Sequence, residues 1–125
     1  MILVDTSVWV DHLRSDEPSL AEALEDGRVL MHRFVLGELA CGSIKNRREV
    51  LRLLENLSTA PAATDSEALG FIERHLLMGR GIGYVDVHLL ASTALAGVAR
   101  FWTRDRRLNA VATELEMAFD EEAGA

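Results

Sequence analysis

Ile2-Leu3-Val4, followed at once by Asp5-Thr6-Ser7, limits the possible folds more sharply than anything else in this chain. Three consecutive aliphatic residues without alternation suit a short strand buried on both faces, the kind found in parallel sheets covered by helices. An acid directly after such a strand lies at its carboxyl end, where open parallel sheets bind their ligands.

The rest of the chain alternates in the way such a sheet requires. A helix is predicted through Val8, Trp9 and Leu13, and Ser19 with Glu22 makes a capping-box pattern for a second helix that ends at Gly27. Residues 29–31 read as a strand. Helical spacing resumes over residues 34–40, where Glu38 interrupts an apolar stretch, and again over 46–57, with Val50, Leu53, Leu54 and Leu57 on one face. Residues 58–63 are the weakest strand candidate. Thr64 and Glu67 form another capping box, opening a helix that reaches about Met78 before the glycines of residues 79–83. Residues 85–96 have the small and aliphatic texture of a helix packed on a sheet, stopped by Gly97, with Asp86 in the first turn. Residues 99–102 read as a strand, Thr103-Arg104-Asp105 as the loop after it, then a short helix and a last edge strand at 117–119. This order predicts an α/β fold with a central, mainly parallel sheet of about five strands and helices on both faces.

A chain of 125 residues with 49% hydrophobic content can bury one core, so a single domain over 1–125 is expected, with the last few residues of the acidic stretch 120–125 a loose tail. The one cysteine, Cys41, excludes an intramolecular disulfide and reads as a small buried hydrophobe. With no signal-peptide pattern and no apolar run long enough for a membrane span, a cytoplasmic protein is expected. The net charge of −7 counts against polyanion binding. Against that, arginines cluster at Arg47, Arg48 and Arg52 and at Arg104, Arg106 and Arg107, and a guanidinium can grip phosphate through paired N–H donors. Solvated helix faces are the competing reading of both clusters.

Asp5 ends the first strand, Asp105 follows a late one, Asp86 opens the helix leading into it, and Glu38 can approach from its own helix. Two carboxylates about 5 Å apart repel by roughly 3 kcal/mol at an effective dielectric of 20, so such a gathering calls for a cation. All-oxygen donors and the lack of a Cys/His cluster favour Mg²⁺ or Mn²⁺ over zinc. Taken singly, each acid has an ordinary reading as a turn, helix-start or surface residue. Jointly they are harder to dismiss, because Asp5 and Glu38 lie in apolar sequence where unpaired carboxylates are disfavoured. A phosphoacceptor domain would want adjacent acids after the first strand and a late lysine, whereas Thr6 and Ser7 follow Asp5 and the only lysine is Lys45. A haloacid-dehalogenase-type phosphatase would want D-x-D, which Ser7 breaks.

Met1-Ile2-Leu3-Val4-Asp5-Thr6-Ser7-Val8-Trp9 resembles the amino-terminal signature of the PIN-domain nucleases, in particular the VapC toxins of bacterial toxin–antitoxin pairs. Phe34-Val35-Leu36-Gly37-Glu38-Leu39 resembles the family segment with the second acid. Gly83-Tyr84-Val85-Asp86-Val87-His88-Leu89-Leu90-Ala91 resembles that with the third, and Trp102-Thr103-Arg104-Asp105 the Thr-x-Asp segment. The four pieces fall in family order across almost the whole chain. The resemblance implies a three-layer α/β/α PIN domain that cleaves RNA endonucleolytically. Asp5 and Asp86 would be the main metal ligands, Glu38 a further ligand or a positioner of the attacking water, and Asp105 a support for a second ion or the water shell. Ser7 and Thr103 would orient those carboxylates, and Arg104, Arg106 and Arg107 are candidate RNA contacts. It also implies a homodimer and a VapB-type antitoxin that blocks the site. Arg106-Arg107-Leu108 departs from the histidine or aromatic that many relatives carry after Thr-x-Asp. The alternative within the same fold is a PIN module that binds RNA or protein without cutting. The four histidines show no metal-ligand spacing and are read as surface or core residues. Trp9, Phe34, Phe71 and Trp102 are read as core or dimer contacts, and the glycines of 79–83 as turn geometry rather than a phosphate cradle.

Overall fold

The computed structural model describes residues 1–122; the expectation of a loose tail falls partly on 123–125, outside the described residues. Three parallel strands form the sheet: β1 (Ile2–Val4), β2 (Val29–Leu30) and β3 (Arg100–Trp102), in the order β2-β1-β3. The oldest strand in sequence is thus the middle one, and strand order reverses on either side of it. Its residues are fully enclosed, and burying a Leu or Val side chain is worth roughly 1.5–3 kcal/mol. Ladder hydrogen bonding between β1 and β3 continues one step past the strands, where the Asp5 N–H donates to the Trp102 carbonyl at 2.8 Å.

Seven helices complete the described chain: α1 (Thr6–Ser15), α2 (Pro18–Glu25), α3 (Arg33–Ala40), α4 (Arg47–Glu55), α5 (Asp65–His75), α6 (Tyr84–Leu95) and α7 (Arg106–Glu114). Helices packed about a parallel sheet give the three-layer α/β/α arrangement anticipated from the sequence. Helix α6 buries every residue from Val87 to Thr93, so it is enclosed all round, as its uniformly apolar texture requires. None of the helices is long and apolar enough to cross a membrane.

Several local expectations need correction. Three strands replace the five, because residues 58–63 and 117–119 make only single parallel bridges, Met31 with Thr59 and Phe101 with Ala118. Ser19 and Glu22 form no capping box: Ser19 lies inside α2, which starts at Pro18, whose fixed φ and missing N–H suit a first helical position. The box at Thr64 and Glu67 is complete, with both reciprocal hydrogen bonds, but α5 stops at His75 when Leu76 turns left-handed. On α4, Leu53 is exposed while Leu51 packs against the core. Cys41 is exposed, since it ends α3 instead of lying on its buried face.

Candidate active site

The β1–β3 register explains how residues nearly a hundred positions apart meet. Val4 pairs with Trp102, so the next residues out, Asp5 and Thr103, share the carboxyl edge of the sheet. Asp5 is buried, and its Oδ2 accepts two hydrogen bonds, from Thr103 Oγ1 at 2.7 Å and from Ser7 Oγ at 2.8 Å. With their single hydrogens committed to Asp5, both hydroxyls accept from the backbone: Ser7 from the Arg104 N–H at 3.0 Å, Thr103 from the Asp105 N–H at 3.1 Å. Strand, loop and helix start are thereby locked around one carboxylate.

The other three acids are held by comparable devices. Glu38, on α3, takes a hydrogen bond from the Thr6 hydroxyl at 2.6 Å on Oε1. Asp86 sits in the first turn of α6 and reaches back to the Gly83 N–H at 3.0 Å, capping the helix that carries it. Asp105 is the N-cap of α7, its Oδ1 accepting from the Leu108 N–H at 2.9 Å. Glu38 and Asp105 are exposed and Asp86 half-buried, so the apolar surroundings inferred from sequence hold for Asp5 and not for Glu38.

Burial, opposed by the Gly83 hydrogen bond, pushes the Asp86 carboxyl above its ordinary value, and the negative charges of Asp5, Asp105 and Glu38 push it the same way. Asp5, Asp105 and Glu38 thus all lie within electrostatic reach of Asp86. In each of the four acids one oxygen is fixed by the protein, and among the described residues the other accepts no hydrogen bond. A free carboxylate oxygen beside a clamped one is what a hard divalent cation takes up. No three acid, histidine or cysteine side chains among the described residues stand close enough to form a complete ion cage. Mg²⁺ needs none, since it binds through one or two carboxylates and retains water.

Arg104 behaves otherwise than its place in a basic cluster suggests. Its guanidinium is spread over three carboxylates, Glu121 through Nε at 2.9 Å, Asp11 through Nη1 at 2.8 Å, and Glu17 through Nη2. Partial burial opposes the charge, but these three partners raise its pKa well above the usual guanidinium value. It braces the Thr103–Asp105 corner against α1 and the segment that follows α7. Thr6 and Gly83, which hold Glu38 and Asp86, were not singled out as partners from sequence; a contact across 32 residues leaves no mark in local periodicity.

Beside Glu38 opens a groove of about 570 Å³, lined by Val10, Leu13, Arg14, Leu39, Lys45 and Val50 among others. It puts apolar surface and the two cations Arg14 and Lys45 next to Glu38.

A PIN domain family model matches residues 2–114. Ribonuclease VapC32 of Mycobacterium tuberculosis (strain ATCC 25618 / H37Rv) is 52% identical over 122 residues, covering 98% of each chain. The protein of the same name from strain CDC 1551 / Oshkosh matches to the same extent.

Proposed function

Since this chain belongs to the PIN-domain family, with VapC ribonucleases among its near relatives, we propose that it is a Mg²⁺- or Mn²⁺-dependent endoribonuclease and the toxin of a toxin–antitoxin pair. The observation that carries this reading is that Asp5, Glu38 and Asp105 all act electrostatically on Asp86, and that each of the four acids has one oxygen clamped while the other accepts no hydrogen bond among the described residues. Asp5 and Asp86 would hold the ion, Glu38 and Asp105 its water shell or a second ion. When bound, such an ion supplies a more acidic water and neutralises charge growing on the scissile phosphate.

The chain's own residues have definite parts in that chemistry. Ser7 and Thr103 fix the orientation of the Asp5 carboxylate, so its other oxygen is presented without rearrangement. Gly83 does the same for Asp86. Glu38, anchored by Thr6 and exposed, is the acid placed to orient a water or take its proton.

We further infer a VapB-type antitoxin as partner, since the groove beside Glu38 would bring a bound segment to the acids, and a homodimer as the working form. Purified protein is expected to cleave RNA with Mn²⁺ or Mg²⁺ and not with chelator, and Asp5→Asn and Asp86→Asn to abolish cleavage while keeping the circular-dichroism spectrum of the parent. Cleavage persisting in chelator, or in both variants, refutes the mechanism; folded wild type that binds RNA without cutting it leaves a binding module.

A further inference from the structure

We propose that Arg107 is the residue that grips a substrate phosphate beside the carboxylates, with Gly81 as the shelf on which its side chain lies. The inference rests on the ribonuclease reading and adds which cation meets the RNA.

The arginines around the site divide by what they already bind. Arg104 is taken up by Asp11, Glu17 and Glu121, Arg80 by Glu114, and Arg47 by the carbonyls of Ala40 and Gly42. Arg106 and Arg107, the first two residues of α7, make no hydrogen bond or ion pair among the described residues. Their surroundings differ. Arg106 lines a cleft with Asp120, Glu121 and Glu122, whose charges would repel a phosphate. Arg107 packs on the loop of residues 79–83. A Cβ built on Gly81 would stand 2.8 Å from both Cδ and Nη1 of Arg107, so a larger residue would push the arginine's flexible end aside, and the φ of +80° at Gly81 itself favours glycine.

That contact puts a cation between two of the acid-bearing segments. The shelf runs on to Gly83, whose N–H holds Asp86, and Arg107 lies two residues beyond Asp105. The ion pair of Arg80 with Glu114 ties the same loop to the far end of α7, so shelf and arginine share one support. A guanidinium placed by packing instead of by an ion pair keeps its paired donors for an incoming phosphate. In a chain of net charge −7, a cation without a hydrogen-bond or ion-pair partner among the described residues, packed on the loop that leads to Asp86, fits an anionic substrate better than a structural role.

The test is fluorescence anisotropy with a labelled oligouridylate, in an Asp86→Asn background with Mn²⁺, across a series of KCl concentrations. Arg107→Ala is expected to weaken binding about tenfold and to lower the slope of log K against log salt by about 0.7–1, the signature of one lost phosphate contact. Arg107→Lys recovers part of the affinity, and Gly81→Ala, which displaces the side chain, weakens binding in the same direction. Arg106→Ala, removing equal charge one residue away, changes affinity no more than about twofold, a surface charge lying off the contact changing little. Equal losses for Arg106→Ala and Arg107→Ala, an unchanged slope for Arg107→Ala, or a parent that binds no RNA overturns the proposal. Wild-type cleavage is scored separately: cleavage with an Arg107-independent slope defeats this inference alone, and an Arg107-dependent slope without cleavage defeats the ribonuclease reading alone.

Discussion

Asp5 is the residue whose surroundings are most demanding. A buried carboxyl group left without hydrogen-bond partners is costly, and Ser7 and Thr103 supply two donors to its Oδ2. Thr103→Val preserves the shape and removes one donor, together with the acceptor for the Asp105 N–H. Its expected cost is about 1–3 kcal/mol in urea denaturation, with a large loss of cleavage; a variant as stable and active as wild type contradicts the role given to Thr103. Asp86 carries the opposite sign. Its pKa is raised by burial and then by its acidic neighbours, so its charge opposes folding above that raised value and the opposition is relieved on acidification. Asp86→Asn is therefore expected to raise the melting temperature of the metal-free protein at neutral pH, and a lowered one would show that repulsion at the site is negligible. The acids themselves were legible in the sequence: Asp5 ends an apolar run, Glu38 and Asp86 interrupt one, and Asp105 stood out by its place after a late strand and in the Thr-x-Asp segment. Of their partners, Ser7 and Thr103 were named through the family resemblance, whereas Thr6 and Gly83 look like any polar residue after a strand or any loop glycine until the fold brings Glu38 and Asp86 to them.

Among the elements, α3 has the most unusual start. His32 is its N-cap, buried, with Nδ1 accepting the Phe34 N–H at 3.0 Å, which leaves Nε2 to donate to Ser92 Oγ at 3.2 Å. Burial, Arg33 and His88 lower its pKa from 6.5 to about 4. The unfolded chain therefore binds a proton that the folded one refuses between those values, and stability falls as pH drops from 6.5 towards 4. The loss attributable to this group is about 3 kcal/mol at most. It is measured as the difference between wild type and His32→Asn, which keeps a capping acceptor and cannot titrate; parallel stability curves for the two would contradict the assignment. Because α3 carries Glu38, acid is also expected to loosen that end of the site. Elements with strong local chemistry were legible: the aliphatic run of β1, the Thr64–Glu67 box, and the enclosed α6. The missed ones were decided by contacts further away. Residues 58–63 and 117–119 had to find a neighbouring strand, and each found one bridge.

At the scale of the whole molecule, the fold follows from placing the first strand in the middle. With β2 and β3 on either side of β1, strand order reverses at the middle of the carboxyl edge, where open parallel sheets bind ligands, and acids from three other segments come within electrostatic reach of Asp86. The net charge of −7 is consistent with this arrangement once its distribution is considered: part of it is gathered at the site, and Arg104 ties down three more carboxylates nearby. What the sequence could not convey is which arginines are already engaged, because that depends on Asp11, Glu17 and Glu121 converging from both ends of the chain. The central proposal is that Asp5 and Asp86 hold a divalent ion, with Glu38 and Asp105 at its water shell or at a second ion. A thermal-denaturation titration with Mn²⁺ tests it most directly, comparing wild type with Asp5→Asn and Asp86→Asn. The predicted result is a melting temperature that climbs with Mn²⁺ for wild type and is nearly flat for both variants; an equal rise in all three proteins would contradict it.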